Sequence, residues 1–353
     1  MAEKNIVHII GTGTIGEPLI GLFCSLKDAF GIDEVTFHKR TPLSDERAKV
    51  NSMARRGARL VVDEHRVADF EKLGHDVSYT ANEAIARATV VIDCTPCGND
   101  NKARYLEIEG PKAYLAQGSE YGFGQMYARG LNDEVLDLTN RFTHIVSCNT
   151  HNICVLIKSL ATKANGVVGL NEGRFVCMRR ATDISQATSF IPAPEVGGHK
   201  DVRFGTHHAR DAWGIFNTLG QDLNLFSSAL KLPTQYMHTL QFMLDLEEAT
   251  SMESIMNSLN ENPRIAVTEK MSAGLVFSFG RDHGYYGRIL NEAVVPHKTL
   301  HLSEDGKKIT GFCYTPQDGN SLLSSMAATL WYMYGENPRD RLQALEPYMF
   351  QEI

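Results

Sequence analysis

Short apolar runs alternate with longer amphipathic segments from residue 5 to residue 147. The runs are typical of buried strands, and the segments between them are typical of helices. Strands that alternate with helices favour a mostly parallel sheet. We therefore predict helices over residues 18–30, 43–57 and 65–73, and strands over residues 5–10, 34–38, 59–62, 88–93, 112–118 and 143–147.

The pattern changes after residue 148. The last apolar stretch, residues 321–334, predicts a helix with Asn320 as its N-cap. A long loop is predicted over residues 191–198, where proline and glycine are frequent. The other predictions in this part of the chain are a helix over residues 150–163 and strands over residues 173–178, 266–279 and 308–314.

A glycine-rich turn, Gly11-Thr12-Gly13-Thr14-Ile15-Gly16, connects the first predicted strand to the first helix. In a βαβ unit of roughly 30 residues, such a turn binds a dinucleotide. The first glycine permits the tight turn, the second lets the backbone approach the pyrophosphate, and the third lets helix and strand pack closely. The helix N-terminus adds N–H groups for the phosphates. We predict an α/β fold with a Rossmann domain over residues 1–147, completed by residues 321–353, and a catalytic domain over residues 148–320.

The end of the second strand selects between the two nicotinamide dinucleotides. An NAD site usually places an acidic residue there for the ribose 2′-hydroxyl. Here Asp33 and Glu34 come too early, and the strand ends in His38, Lys39 and Arg40. These basic side chains suit a 2′-phosphate, so NADP is the predicted preferred cofactor, with NAD as the second. The alternative is an exposed basic loop that binds nothing.

Composition and charge exclude several classes of protein. The 353 residues include 35 Lys+Arg and 42 Asp+Glu, which gives a net charge of −7, and 43% are hydrophobic. These values are typical of a globular protein and give no basic surface for nucleic acid. No apolar run reaches the roughly 18 residues that a membrane-spanning helix requires. The polar residues 1–5 lack the order of a signal peptide, so a cytoplasmic location is predicted.

Seven cysteines are scattered along the chain, and this odd number favours reduced thiols over a disulfide framework. Cys94 and Cys97 form a C-x-x-C pair, but no second pair stands at zinc-ribbon spacing, and no metal is predicted. A redox role is disfavoured because Pro96 and Gly98 indicate a loop rather than the start of a helix.

Cys148 lies where a predicted strand ends and a helix begins. A helix N-terminus lowers the pKa of a thiol, and the thiolate is the nucleophile. Single cysteines are more often buried structural residues, but this position favours a catalytic one. Cys154 and Cys177 lie within apolar periodic segments and are predicted to be core residues.

The segment Ser147-Cys148-Asn149-Thr150 resembles the catalytic S-C-N-T of glyceraldehyde-3-phosphate dehydrogenases. The resemblance is to the archaeal-type (type II) branch and covers nearly the whole chain. It rests on an ordered set of motifs: Asp93-x-Thr95-Pro96-x-Gly98, Asn101-Lys102, Gln117-Gly118-x-Glu120, Arg179-Arg180-Ala181-x-Asp183, His207-His208-Ala209-x-Asp211, Pro233-Thr234-x-x-Met237-His238 and Pro263-Arg264-Ile265.

This resemblance implies the family's fold, a Rossmann domain with an α+β catalytic domain, and its chemistry. Cys148 would attack an aldehyde, hydride transfer would leave a thioester, and inorganic phosphate would release an acyl phosphate. His238 matches the general base, because an imidazole suits proton transfer near neutral pH. The backbone N–H of Cys148 and the side chain of Asn149 are candidate oxyanion donors.

The resemblance also implies the binding residues. Arg179 is the stronger phosphate-binding candidate of its pair, since adjacent strand residues face opposite ways. The predicted substrate and phosphate residues are Ser147, Thr150, His151, Arg179, Arg180, His207 and His208. The predicted cofactor residues are Gly11, Gly13, Thr14, Ile15, Gly16, His38, Lys39, Arg40, Thr95, Pro96, Gly98, Gln117, Gly118 and Asn320.

Several family segments are altered in this chain. Tyr121 replaces a lysine, His151 follows the Cys-Asn-Thr motif, and residues 185–188 and 314–317 depart from the family pattern. The reaction centre and the cofactor turn are kept while the surroundings of the substrate are changed. This pattern indicates the same chemistry on a different substrate.

Three functions are consistent with these residues. The first is a phosphorylating aldehyde dehydrogenase that oxidises glyceraldehyde 3-phosphate or a related phosphorylated aldehyde, for which the family implies a homotetramer. The second is a biosynthetic reductase that forms an aldehyde from the acyl phosphate of another phosphorylated or phosphonylated substrate. The third is a non-catalytic dinucleotide-binding sensor, and the presence of both Cys148 and His238 argues against it.

Overall fold

The computed structural model describes residues 4–182, 190–316, 318–336 and 338–353. The altered residues 185–188 and Gln317 lie outside the described residues. The chain forms two compact units, each with its own sheet. The domain boundaries given above stay predictions. The first unit comprises Met1–Tyr127, Glu134–Ile145 and Leu322–Ala344, and the second comprises Ala128–Asp133, Val146–Ser321 and Leu345–Ile353.

Sixteen strands within the described residues form the two sheets. In chain order they are β1 Ile6–Ile10, β2 Glu34–His38, β3 Arg59–Val62, β4 Tyr79–Thr80, β5 Val90–Asp93, β6 Ala113–Gly118, β7 Gln125–Tyr127, β8 Phe142–Val146, β9 Leu170–Arg180, β10 Glu195–Val196, β11 Leu225–Leu232, β12 His238–Leu246, β13 Ile265–Thr268, β14 Ala293–Pro296, β15 His301–Leu302 and β16 Lys308–Thr315.

Twelve α-helices are described, together with five short 3₁₀ turns. They are α1 Gly16–Ser25, α2 Lys27–Phe30, α3 Arg47–Arg55, α4 Val67–Lys72, α5 Ala81–Arg87, α6 Gly98–Leu106, α7 Cys148–Leu160, α8 His207–Asn217, α9 Met252–Glu261, α10 Ala273–His283, α11 Gly319–Tyr334 and α12 Arg339–Leu342.

The first sheet has the order β4-β3-β2-β1-β5-β6-β8-β7. β1 pairs in parallel with both β2 and β5, and all its residues are buried. A strand that is buried on both faces has a continuous apolar sequence, and these strands were predicted for that reason. The parallel sheet with intervening helices confirms the predicted α/β fold class.

The second sheet is mixed, with the order β10-β11-β9-β12-β16-β14-β13 and β15 beside β16. Its centre is β12, which pairs antiparallel with β9 and with β16. Helix α7 is buried along most of its length. The residues that carry the predicted chemistry of this unit lie at the N-terminus of α7 and at the ends of β9 and β12.

The structure corrects three local predictions. Residues 266–279 are not one strand, because β13 ends at Thr268 and α10 begins at Ala273. The apolar residues of α10 are contiguous in the sequence, so the helical period was not evident from it. In the structure Val276 is buried and Leu275 is 56% exposed. Asn320 is not an N-cap, since α11 begins one residue earlier. The predicted loop over residues 191–198 contains the short strand β10.

Cys94 and Cys97 lie in a loop, as predicted, between β5, which ends at Asp93, and α6. Gly98 is not part of that loop, because α6 begins there. Both thiols are free.

Within the described residues no helix is long and apolar enough to cross a membrane. The same residues contain no group of three His, Cys, Asp or Glu side chains arranged to hold a metal ion.

Candidate active site

The glycine turn between β1 and α1 has the geometry of a phosphate cradle. Gly11 has a φ of +94°, which side chains disfavour. A Cβ on Gly16 would lie 2.1 Å from the carbonyl oxygen of Gly11, so only glycine permits this approach. A Cβ on Gly13 would meet nothing within 4 Å, so the backbone there is open to a ligand. Thr14 and Ile15 complete the turn, with Ile15 as the N-cap of α1. The turn therefore fits a dinucleotide pyrophosphate.

The buried carboxylate of Asp93 holds the loop that follows β5. Its Oδ1 accepts hydrogen bonds from the backbone N–H of Thr95 at 2.9 Å and from the Thr95 hydroxyl at 2.6 Å. Its Oδ2 accepts from Asn101 at 2.8 Å and from the hydroxyl of Tyr105 at 2.7 Å. A Cβ on Gly11 would lie 3.2 Å from the methyl group of Thr95, so this loop packs against the glycine turn.

A cavity of about 530 Å³ opens beside these two loops. Six predicted cofactor residues line it, and so do acidic, amide and basic side chains that are not among the predicted cofactor residues. The predicted residues are Gly11, His38, Lys39, Arg40, Thr95 and Pro96, and the additional ones include Asp63, Asp100, Asn101 and Arg104.

Two of the three basic side chains at the end of β2 are already paired with carboxylates. Nε2 of His38 lies 3.3 Å from Oδ1 of Asp63, and burial lowers the pKa of His38. The ammonium of Lys39 donates to the carboxylate of Glu46. Arg40 is exposed. A 2′-phosphate at this position would therefore meet acidic as well as basic groups.

The other predicted cofactor residues lie outside this cavity. Gly98 begins α6, where a Cβ would lie 2.9 Å from that of Ala116. The side-chain amide of Gln117 donates to the hydroxyl of Ser325 at 2.8 Å. Gly118 has a φ of +83°. Asn320, in the second unit, donates to the carbonyl oxygens of Cys148 and Glu292 at 3.0 and 3.1 Å.

In the second unit, Cys148 is the first residue of α7 and Ser147 is the N-cap. The Ser147 hydroxyl lies 2.9 Å from that of Thr150, and the ring of His151 bonds the carbonyl oxygen of Ser147 at 3.0 Å. Thr150 and His151 are fully buried. Hydrogen bonds among Ser147, Thr150 and His151 thus stabilise the first turn of α7, which contains Cys148.

Burial raises the pKa of the Cys148 thiol to about 12. Asp318 contributes to this rise, whereas Arg180, the backbone N–H of Asn149 and Arg179 act in the opposite direction. The expected lowering of this pKa by an N–H of the helix N-terminus is present, but burial outweighs it. A helix end contributes roughly 0.3–1 kcal/mol, which is less than one pKa unit. The thiol is therefore protonated at neutral pH.

The side chain of Asn149 lies in a buried hydrogen-bond network. Its amide nitrogen lies 3.3 Å from Nε2 of His208, and its oxygen accepts from the Thr315 hydroxyl at 3.1 Å. Nδ1 of His208 lies 3.0 Å from the hydroxyl of Thr206. Burial holds the pKa of His208 well below its ordinary value, with His207 acting in the same direction. The Asn149 side chain is thus occupied by protein partners, and its predicted oxyanion role stays a prediction.

His238 begins β12, and its Nδ1 accepts a hydrogen bond from the backbone N–H of Arg180 at 3.0 Å. Burial lowers its pKa to about 3, with smaller contributions in the same direction from Arg180 and Arg179. A neutral imidazole that accepts at Nδ1 carries its proton on Nε2. In this state His238 offers a hydrogen-bond donor at Nε2 rather than the lone pair of a general base.

The two adjacent arginines at the end of β9 have different surroundings. Arg180 is buried and forms an ion pair with Asp318 at 3.3 Å. Arg179 lines a second cavity of about 390 Å³ together with His207 and His208. The alternation along the strand thus separates them as the sequence predicted.

This second cavity has a basic lining. Lys200 and Arg210 add to Arg179 and the two histidines, and Asp201 is also present. The ring centroids of His207 and His208 lie 3.9 Å apart with the planes tilted by 32°, so the two rings lie side by side rather than diverge. Three basic side chains and two imidazoles around one cavity suit an anion such as phosphate.

Comparisons with known proteins identify the family. A model of the glyceraldehyde 3-phosphate dehydrogenase C-terminal domain matches residues 147–281. A glyceraldehyde-3-phosphate dehydrogenase of Methanobacterium bryantii is 30% identical over 285 residues, which cover 78% of this chain and 77% of the relative. The corresponding enzyme of Archaeoglobus fulgidus is 28% identical over 287 residues, covering 78% of each chain. The chain belongs to the archaeal-type glyceraldehyde-3-phosphate dehydrogenase family.

The family assignment confirms the resemblance and makes this chain an oxidoreductase of the glyceraldehyde-3-phosphate dehydrogenase type, a family that uses a nicotinamide dinucleotide. The matched region contains Cys148, Arg179, His208 and His238. The roles of these residues stay predictions.

Sequence reasoning missed several residues of this dehydrogenase's candidate site. Asp318 lies 138 residues from Arg180, and no local pattern indicates that pairing. Lys200 lies just after the predicted loop over residues 191–198, where no motif marked it. Asp63 and Glu46 were visible as acidic residues, but nothing in the sequence connected them to the end of β2.

Proposed function

We propose that this protein is a phosphorylating aldehyde dehydrogenase whose substrate is glyceraldehyde 3-phosphate or a related phosphorylated aldehyde. The observation that carries the proposal is the basic cavity lined by Arg179, His207 and His208 in the unit that presents Cys148 at the start of α7. A nucleophilic thiol and an anion cavity are two of the elements that this reaction requires, together with a hydride acceptor.

In the proposed reaction the sulfur of Cys148 forms a bond to the aldehyde carbon, and the thiol proton passes to the carbonyl oxygen. Loss of a hydride and of that proton converts the thiohemiacetal to a thioester. A bound nicotinamide dinucleotide supplies the hydride acceptor. An oxygen of inorganic phosphate then attacks the thioester carbon, which releases the acyl phosphate and the Cys148 thiolate.

His238 and the backbone N–H of Cys148 are the proposed stabilisers of the oxygen that becomes negative. The Nε2–H of His238 is a donor in the neutral ring, and a donor directed at an oxyanion stabilises the transition state. Its role as a general base requires the proton to leave Nε2, and the bond from Arg180 to Nδ1 opposes this.

NADP is the proposed preferred cofactor, with NAD as the alternative. The open backbone at Gly13 and the cavity beside Lys39 and Arg40 support binding of a dinucleotide. The pairing of Lys39 with Glu46 limits the preference for NADP. We also propose, on the family resemblance alone, a cytoplasmic homotetramer.

The second candidate is a reductase that forms an aldehyde from an acyl phosphate of a different phosphorylated or phosphonylated substrate. Thr315, which lies in a segment that departs from the family, donates to the side-chain oxygens of Asn149 and Asn152. A changed segment in contact with the residue after Cys148 favours a changed substrate.

A screen of phosphorylated aldehydes and acyl phosphates, followed by the absorbance of reduced nicotinamide, tests both candidates. Oxidation that requires phosphate or arsenate supports the dehydrogenase, and faster reduction of an acyl phosphate supports the reductase. Cys148→Ser should bind dinucleotide and lose turnover, and Cys24→Ser is the matched control. Dinucleotide binding without any turnover would instead indicate a sensor.

A further inference from the structure

The ammonium of Lys39 is shared with an acidic side chain beside the dinucleotide cavity. Lys39 lines the cavity, and its side chain is 12% exposed. It donates to one oxygen of Glu46, whose other oxygen accepts from Lys49 at 3.1 Å. Lys49 also lies 3.5 Å from Glu17. Glu46 is therefore held between two lysines, and only one of them lines the cavity.

Glu46 is ionised at neutral pH. Burial opposes ionisation, but the hydrogen bonds from Lys39 and Lys49 outweigh it and lower the pKa of Glu46. A carboxylate in this place neutralises much of the charge that Lys39 would offer to a ligand. Because both side chains are partly buried, salt screens this interaction less than it screens a fully exposed pair.

The neighbouring basic side chains do not replace Lys39. His38 is paired with Asp63 and its pKa is lowered, so it adds little positive charge at neutral pH. Arg40 is exposed and forms no ion pair with any described residue. Arg104 also lines the cavity and is exposed, so Lys39 is the partly buried one of these three cations.

A ribose 2′-phosphate carries close to two negative charges near neutral pH. To bond Lys39 it must share the ammonium with Glu46 or displace it, and the phosphate and the carboxylate repel each other. A ribose 2′-hydroxyl meets no such competition. Glu46 thus weakens binding of the phosphorylated dinucleotide selectively.

We propose that Glu46 is a specificity-determining residue of the dinucleotide cavity, which competes with the 2′-phosphate for Lys39 and thereby sets the ratio of NADP to NAD affinity. This inference rests on the proposed dinucleotide-binding function. Glu46 does not line the cavity itself and acts through the position and charge of Lys39.

Calorimetric titration of the full chain with NADP and NAD tests the proposal. Glu46→Gln keeps the length of the side chain and removes its charge, so we expect the NADP Kd to fall about tenfold, a change of roughly 1.4 kcal/mol. The NAD Kd should stay within about twofold, because it involves no new charge. Glu17→Gln is the matched control, since Glu17 contacts Lys49 but not Lys39, and it should change neither Kd.

A second comparison shows whether Lys39 carries the effect. In a Lys39→Met background, Glu46→Gln should alter the NADP Kd by less than about twofold, because the ammonium for which Glu46 and the 2′-phosphate compete is absent. If Glu46→Gln does not fold, Glu46→Asp keeps the charge and shortens the reach to Lys39, and it should also tighten NADP binding.

The outcomes separate this inference from the proposed function. An unchanged NADP Kd in Glu46→Gln, with the wild-type protein binding NADP, overturns the competition. If Glu46→Gln lowers the NADP Kd about tenfold in the Lys39→Met background as well, Lys39 does not mediate the effect of Glu46. If the wild-type protein binds neither dinucleotide, the proposed function itself is wrong.

Discussion

The backbone N–H of Arg180 donates to Nδ1 of His238 over 3.0 Å. This bond directs the proton of the neutral ring to Nε2. Burial and the two nearby arginines lower the pKa of His238 to about 3, so the ring stays neutral throughout the physiological range. His238, which the sequence analysis names as the general base, is therefore in a state that donates a hydrogen bond, and its catalytic role stays a prediction.

We expect the pH profile of kcat/KM to show no inflection from His238 between about pH 5 and pH 8. His238→Ala should lower kcat by about a hundredfold or more through loss of the Nε2–H donor, with an unchanged dinucleotide Kd. His301→Asn removes an exposed histidine of the same unit and should leave both constants unchanged. A wild-type inflection near pH 6.5 that disappears in His238→Asn would contradict the neutral state.

The thiol of Cys148 should show a high pKa in the absence of substrate. Because burial raises this pKa to about 12, the rate of alkylation by iodoacetamide should rise about tenfold per pH unit from pH 7 to pH 10. Asp318→Asn removes a carboxylate that raises the pKa, so alkylation at about pH 8 should become faster. Asp305→Asn, an exposed change, is the control. A rate that levels off below about pH 9 would show that the thiolate is stabilised.

Loss of Arg179 should weaken phosphate binding, whereas loss of Arg180, the next residue on β9, should lower the stability of the fold. Arg179→Ala should raise the KM for inorganic phosphate about tenfold or more, since charge-assisted bonds to the anion are lost, and leave unfolding nearly unchanged. Arg180→Ala leaves Asp318 buried without its partner and should lower the free energy of unfolding by about 3 kcal/mol or more. Arg174→Ala, at an exposed position on the same strand, should do neither. If Arg179→Ala and Arg180→Ala raised the KM for phosphate equally, the assignment of phosphate binding to Arg179 and of stability to Arg180 would be wrong.

The parts of this structure that were predictable are those with a strong local signal. Strand β1 and the glycine turn were found because a strand buried on both faces is continuously apolar and Gly16 permits a contact that no other residue allows. Helix α10 was missed because its apolar residues are contiguous. Its helical period becomes evident only from the burial of Val276 and the exposure of Leu275.

The charges of the candidate site were less predictable than its residue types. Lys39 and Arg180 were identified as cations available to phosphate groups. The structure pairs each with a carboxylate, Glu46 and Asp318 respectively. A sequence shows which side chains carry charge, but only the fold determines which of them neutralise one another.

Glu292 is a fully buried carboxyl group that none of the proposed chemistry uses. Oε1 lies 3.5 Å from a guanidinium nitrogen of Arg264, and neither oxygen has a hydrogen-bond partner within the described residues. Burial raises its pKa to about 7, with Asp133 acting in the same direction and Arg264 and Arg129 opposing it. The native state therefore binds this proton more tightly than the unfolded chain.

This difference predicts a stability that depends on pH. A group whose folded pKa lies above its unfolded value contributes stability below the unfolded pKa and loses it as pH rises through the folded pKa. For Glu292 the loss should extend from about pH 4.5 to about pH 7 and amount to roughly 3 kcal/mol. Glu292→Gln cannot ionise, so its melting temperature relative to the wild-type protein should rise between about pH 5 and pH 8. The buried histidines titrate in both proteins and cancel in this comparison, and Glu253→Gln at an exposed position should show no such trend. If the difference between Glu292→Gln and the wild-type protein is the same at both pH values, Glu292 is ionised in the native state throughout, and its ion pair with Arg264 outweighs the cost of burial.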